Sequence, residues 1–384
     1  MKKRTDRGID MKFDELAFDN GERAAFGLGQ LYRQYGYVRY KISKFEEYDL
    51  YVQNKSFLVS ENVLTFTDSD GKLMALKPDV TLSIVKNSKE GDGIQKVYYN
   101  ENVYRKSSGT GEFGEIMQTG LECIGDIDTY SVGEVVMLAA KSLESISKKY
   151  VLDISHMGFV SAFLESICSS VVVRDEIVGL MGDKNIHGIR ALCEKQGISA
   201  ESCEDICTLT KLYGPVTKCV DLLLPLIRSD EMRAAYEELS ALVDIIRIYG
   251  FDDKVYLDFS IVNDMSYYNG IIFRGFIDGI PAGVLSGGRY DNLLKKMGKN
   301  SGAIGFAVYL DLLERFGDEG ESFDVDVLLT YEEGASPKDI IDAVKLLSSY
   351  KKSVKVQSTD DKSVRYRQLA AVRRGGFEIL ENND

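Results

Sequence analysis

The 384-residue sequence lacks any surplus of positive charge: 47 lysines and arginines face 60 aspartates and glutamates, the net charge is −13, and no basic arm offsets it. Nucleic-acid binding draws most of its sequence-independent affinity from basic side chains that neutralise phosphates, so the balance argues against a tRNA or DNA binder. Acidity alone reports on solubility and association, not on fold. There is also no apolar run of about 18 residues, the length a membrane span needs. The opening MKKRTDRGIDMKFDE is charged throughout and carries no apolar stretch, so no secretory leader is expected; neither nucleic acid nor membrane is an expected partner, and the expected location is the cytoplasm. Six cysteines are present, Cys123, Cys168, Cys193, Cys203, Cys207 and Cys219, but none forms a CxxC pair, and the four from Cys193 to Cys219 are too irregularly spaced for a zinc knuckle. Cys203 and Cys207 fit one helix face, and all six are expected to be reduced core thiols. Histidine is scarce: His156 and His187 are the only two, and neither lies near a nucleophile motif such as GxSxG, which leaves Ser-His and Cys-His catalysis without support. No metal and no cofactor is expected.

What is present suits a soluble chain of two or three domains. Asp19, three residues before Glu22, opens a helix whose face carries Ala25, Leu28, Leu31, Tyr32 and Tyr35, and Gly36 stops it. From Lys55 to Leu76 short apolar runs (SFLVS, VLTFT, LMAL) read as an antiparallel meander. The segments KVYYNENVYR and GEIMQTGLECIG continue the sheet, joined by the Ser/Gly-rich KSSGTGEF as a long hairpin loop. A helix from about Ser131 to Tyr150 and a strand VLDISH follow. Between about 158 and 250 the pattern is helix after helix, an inserted helical module. Strands resume in VYLDFSIV, YYNGIIFRGFI and AGVLSGG. GDEGES, at 317–322, reads as a linker, so the core is expected over 1–320 and a small α/β domain over 323–384. In that domain DVDVLLT and SVKVQ are strands, Ser336-Pro337-Lys338-Asp339 starts a helix with Ile340, Ile341, Val344 and Leu347 inward, and the last twenty residues are ambiguous.

Several stretches carry more specific information. FTDSDGKLMALKPDVT, VYRKSSGTGEFGEIMQTGLECIG, YYNGIIF, and LSGGRYDNLLKKMG followed by AIGFAVYLDLL occur in that order, with YGY at Tyr35 to Tyr37 ahead of them. In sequence and spacing they resemble the histidyl-tRNA synthetase branch of the class II aminoacyl-tRNA synthetases, over most of residues 13–315. The resemblance implies an α+β fold: a class II synthetase-like antiparallel sheet flanked by helices, with the helical insertion and the small C-terminal α/β domain added to it. It also implies a histidine pocket on the sheet face. Asp79 and Thr81 of KPDVT match the groups facing the α-ammonium, with Asp79 one methylene shorter than the usual glutamate. Arg105 matches the arginine of the second class-defining motif. Gln118 matches a pocket glutamine, Glu122 the acid that holds the imidazole, and Tyr267 and Tyr268 the tyrosine pair of the opposite wall. The inventory is chemically coherent, since a histidine ligand offers an ammonium, a carboxylate and an imidazole and needs carboxylates, a cation and groups that donate and accept. Strand alternation puts Gln118, Gly120 and Glu122 on one face, with Gly120 expected to leave room over the ligand.

The same resemblance exposes losses. Leu312 stands where the third motif has its arginine, Asn263 where the branch has an arginine ahead of the tyrosine pair, and Gly114 where an arginine follows the loop. Ser43 replaces the first motif's proline, and the stretch after Asp324 is shorter than the family's anticodon-binding domain. Adenylation needs positive charge around the triphosphate, and losing one preorganised donor costs about 2.7–4 kcal/mol of transition-state stabilisation. Three losses should abolish useful turnover, leaving Arg105 as the remaining motif arginine. A synthetase body that keeps the amino-acid pocket and loses its ATP cations resembles the regulatory subunits of ATP phosphoribosyltransferase. That resemblance implies a non-catalytic chain that self-associates as a dimer, joins a short-form catalytic subunit of that enzyme, and relays feedback by histidine at the first step of histidine biosynthesis. An active synthetase or tRNA-free amino-acid adenylating enzyme, and an amino-acid sensor docking on some other partner, remain as alternatives.

Overall fold

The computed structural model describes residues 19–55, 63–89, 93–106, 112–262, 267–313, 323–350, 352–358, 363–374 and 376–383. The SFLVS strand (56–60), most of the hairpin loop (107–111), Asn263 and the 317–322 linker lie outside the described residues. The chain divides into two compact units, Met1–Phe316 and Gly317–Asp384.

The first unit is built on a nine-stranded sheet. Its central hairpin, Gln95–Lys106 against Phe113–Gly125, pairs antiparallel throughout, from Gln95 opposite Ile124 to Lys106 opposite Phe113. Next to Phe113–Gly125 come Gly302–Tyr309, Leu285–Arg289, Ile271–Ile277 and Tyr150–His156, each antiparallel to its neighbour. Val255–Asp258 joins in parallel beyond them, and the short strand Tyr213–Pro215 closes that edge. The Thr65–Thr67 and Leu73–Leu76 strands pair antiparallel as the meander requires, but with Phe45–Glu47 they form a separate three-stranded sheet and do not continue the main one.

Helices cover the main sheet because their apolar stripes have nowhere else to go. Asn20–Gln34 starts with a complete capping box between Asp19 and Glu22, a device that contributes on the order of 1 kcal/mol, and buries Ala25, Leu28 and Tyr32. Thr129–Ile146, capped by Asp128, buries Val132, Val135, Val136, Ala139 and Leu143 against the same core. The insertion consists of Met157–Ile167, Val171–Gly182, Ile186–Gln196, Ala200–Lys211, Val216–Cys219, the 3-10 helix Val220–Leu226 and Asp230–Tyr249, the last ended by Gly250 at a φ of +76° that suits glycine. Its one departure from all-helix is Tyr213–Pro215, too short to announce itself in the sequence. Five cysteines are buried; Cys168, half-exposed, is the exception to the expected core placement.

In the second unit the strand order is Val354–Gln357, Val325–Thr330, Tyr366–Arg373, Gly376–Asn382. The ambiguous tail is therefore an antiparallel strand pair. The Pro337–Ser349 helix buries Ala343 and Leu347, whereas Ile341, expected inward, is 52% exposed. A single sheet face under one helix accepts a narrow stripe, and Ile341 falls outside it. Among the described residues no helix is long and apolar enough to cross a membrane.

Candidate functional site

On one face of the main sheet a cavity of about 680 Å³ is lined by all seven residues singled out from the sequence: Asp79, Thr81, Arg105, Gln118, Glu122, Tyr267 and Tyr268. Sheet register explains the convergence. Gln118 and Glu122 alternate onto the cavity face, opposite Tyr309 and Gly305 of the adjacent strand. A Cβ at Gly305 would collide with the Glu122 carboxylate, so glycine there is what lets the acid lie flat against the sheet. The expectation for Gly120 needs correction. A Cβ on it would meet the Tyr99 hydroxyl at 2.6 Å, so the space above Gly120 is filled by the Tyr99 phenol rather than left for a ligand.

Glu122 is the centre of the site and is only 2% exposed. The Thr81 hydroxyl donates to its Oε1 at 2.8 Å, and the Tyr290 hydroxyl donates to its Oε2. Burial pushes its pKa up to about 8 despite those two donors, so this acid is largely protonated near neutrality. Asp79 takes the backbone N–H of Leu82 at 2.9 Å and lies 3.8 Å from an Arg105 nitrogen. Burial raises its pKa as well, against the pull of Arg105. Arg105 is held by its Nε donating to the Pro78 carbonyl at 2.7 Å, which leaves the rest of its guanidinium turned to the cavity it lines. Gln118, 2% exposed, has an Nε2 with no hydrogen-bond partner. A buried donor left unpaired costs about 1–3 kcal/mol, and a ligand acceptor would recover it. The rings of Tyr267 and Tyr268 meet edge to face with centroids 4.4 Å apart, and Tyr290 lies 5.9 Å from Tyr267.

Tyr290 and Tyr99 were not assigned roles from the sequence. Tyr290 sits in the quoted GGRYD stretch, and the turn around it is locked. Asp291 accepts from the Ala303 N–H at 2.9 Å and from Arg289 Nε at 2.9 Å, while its own N–H donates to Asn269 at 2.9 Å. Arg289 also reaches Glu238 of the insertion at 3.2 Å, and Glu238 meets His156 Nε2 at 3.2 Å. The wall that aims Tyr290 at Glu122 is thereby tied to the helical module.

The positions that lost arginine behave differently. Gly114 is exposed in its strand, with nothing within 4 Å of where a Cβ would stand. Leu312 lies in the Leu310–Leu313 turn and packs against the hydrophobic core. Neither lines the cavity. One cation outside the motifs does: Arg274 joins Arg105 among the lining residues, so Arg105 is not alone there. Among the described residues no cluster of His, Cys, Asp and Glu is arranged to hold a metal ion.

Comparison with known proteins agrees with this geometry. The family model described as "Histidyl-tRNA synthetase" matches residues 17–313. The chain is 31% identical to the ATP phosphoribosyltransferase regulatory subunit of Caldanaerobacter subterraneus subsp. tengcongensis, over 73% of this chain and 74% of that one. It is 28% identical to the protein of the same name from Ruminiclostridium cellulolyticum, over 92% of this chain and 86% of the relative. Its fold is similar, at a TM-score of 0.74 and 23% identity, to a Bacillus halodurans C structure described as an ATP phosphoribosyltransferase regulatory subunit/histidyl-tRNA synthetase, with 97% and 99% of the two chains covered. With a synthetase-like sheet, an amino-acid-shaped set of polar groups and these relatives in hand, the chain belongs to the histidyl-tRNA synthetase-like family of ATP phosphoribosyltransferase regulatory subunits.

Proposed function

We propose that this chain is a non-catalytic, cytoplasmic regulatory subunit that binds free histidine between Asp79, Thr81, Arg105, Gln118, Glu122, Tyr267 and Tyr268. In this reading the phosphoribosyl transfer takes place on a short-form catalytic subunit with which the chain assembles, and the chain itself pairs as a dimer. Histidine acts as feedback signal by binding two assembly states unequally, since equal affinity would shift nothing. The carrying observation is the pairing of a complete amino-acid inventory with the absence of arginine at two positions where the resemblance places phosphate cations. Glu122, Asp79, Arg105 and the unpartnered Gln118 amide line one cavity, while Gly114 and Leu312 lie outside it without any cation.

Titrating the isolated chain with L-histidine in a calorimeter tests the binding half, and heat that saturates near one histidine per chain at the inner pocket is expected. Amino-acid-dependent pyrophosphate exchange with ATP tests the other half and should stay at background. Exchange well above an empty control would mean an adenylating enzyme and overturn the reading.

A further inference from the structure

The cavity runs well past the inner pocket. Following the register across the sheet, the row that holds Tyr99 and Gly120 continues through Ala307, Ser286 and Arg274 to Asp153. Glu122 and Asp153 lie on strands four spacings apart, roughly 19 Å at the usual interstrand distance, so no single amino acid touches both ends. Asp153 is 7% exposed, lines the cavity, and its Oδ1 has no hydrogen-bond partner. Its neighbour Asp258 is already satisfied, by Lys184 Nζ at 2.9 Å and by the Ser260 N–H at 2.8 Å. Directly across the strand from Asp153 stands Arg274. The two do not close on each other. The guanidinium lies 5.5 Å from the Phe276 ring centroid and forms no ion pair among the described residues.

One unpaired carboxylate and one unpaired guanidinium, on adjacent strands and facing one cavity, match the head group of a zwitterion. A lone guanidinium suits the single charge of a carboxylate better than a phosphate, because the nearby lysine is spent on Asp258. Phe276, Tyr309, Ile261 and Val262 supply apolar surface for a side chain. We propose that this outer end is a second amino-acid site, which takes a free α-amino acid with its ammonium on Asp153 and its carboxylate on Arg274, and which a second histidine fills at higher concentration. Burial, reinforced by Asp258 and opposed by Lys184, pushes Asp153 up to about 7, so its charge is readily completed by an arriving cation.

Equilibrium dialysis of the full chain against labelled L-histidine, carried to saturation, tests this. Two histidines per chain are expected. Asp153→Asn and Arg274→Gln should each weaken the looser site about tenfold or more, the loss of a charge-assisted hydrogen bond, and leave the tighter one unchanged. Asp153→Asn is isosteric and Arg274 is exposed, so the two variants guard against a folding artefact. Glu122→Gln should affect only the tighter site. A single histidine per chain at saturation, or two that persist in both outer-site variants, overturns the proposal. Loss confined to Glu122→Gln would leave the inner pocket standing without the outer one; loss confined to the Asp153 and Arg274 variants would do the reverse.

Discussion

The inner pocket and the positions where a synthetase places its phosphate cations belong to the same fold, yet they are built in opposite ways. Around Glu122 nearly every polar atom is placed by another: Thr81 and Tyr290 hold the carboxyl, Asn269, Arg289 and Ala303 hold the turn beneath Tyr290, and Gly305 clears the space. At Leu312 a half-buried side chain packs against the core, and at Gly114 there is no side chain at all. Binding an amino acid needs a preorganised ground-state inventory. Adenylation needs charge aimed at a developing phosphate, and neither Leu312 nor Gly114 supplies it. On the function proposed above, the sheet keeps recognition after giving up chemistry.

The sharpest way to break the comparison is at its better-built end. Glu122→Ala removes the acceptor of two hydroxyls and a carboxyl that lines the proposed histidine pocket. Histidine affinity should fall by about 2–3 kcal/mol, roughly 30- to 150-fold, as measured by calorimetry at pH 8. An unchanged Kd would mean the ligand lies elsewhere in the cavity. At the other end, Leu312→Arg restores the lost cation into a half-buried place packed against the core. It should cost about 1–3 kcal/mol in denaturant unfolding and leave pyrophosphate exchange at background. Exchange that rises would show that only charge, not geometry, had been lost.

The acid in the pocket also gives the comparison a pH signature. The folded-state pKa of Glu122 is raised to about 8 from 4.5, so between those values the native chain holds a proton that the unfolded chain has released. Stability therefore falls as pH rises through this window, by at most about 1.4 kcal/mol per pH unit from this group. Glu122→Gln cannot ionise. Its stability should match the unaltered protein's near pH 5 and exceed it by pH 7, the difference widening by about 1 kcal/mol between pH 6 and 7 in denaturant unfolding. A gap that is constant with pH would mean that Glu122 titrates normally.

How much of this was legible in the sequence follows from what each feature depends on. Strand alternation placed Gln118 and Glu122 on one face, and the motif order placed Asp79, Thr81, Arg105, Tyr267 and Tyr268 around them; all now line one cavity. Those are local or serial facts. Gly120 was misread because what stands over a glycine is decided by the neighbouring strand, where Tyr99 lies in register. Arg274 went unnoticed for the same reason, since an arginine in IIFRGF reads as a solvated strand position until the sheet order puts it beside Asp153. Tyr290 was within the quoted GGRYD, but its aim depends on a turn locked from three separate segments. Ile341 failed as an inward residue because a helical stripe reports a face and not its width. Pairing across strands that lie far apart in sequence leaves no local pattern to read.

The smallest expected effect lies at Gly114, and it separates lost charge from lost architecture. This glycine faces Arg105 across the central hairpin, is exposed, and has open space where a Cβ would stand. Gly114→Arg should therefore change stability by no more than about 0.5 kcal/mol, because nothing must move to admit it and a strand position gains a side chain. If phosphate binding had failed for want of one cation, this substitution should revive ATP-dependent exchange at no structural cost. The expected result is background exchange with histidine binding intact, because Leu312 still packs against the core in place of a cation and a single added charge does not rebuild a site that acts as a unit. Tight ATP binding by this variant alone would show that the two ends of the sheet diverged in charge only and that the scaffold for adenylation is still in place.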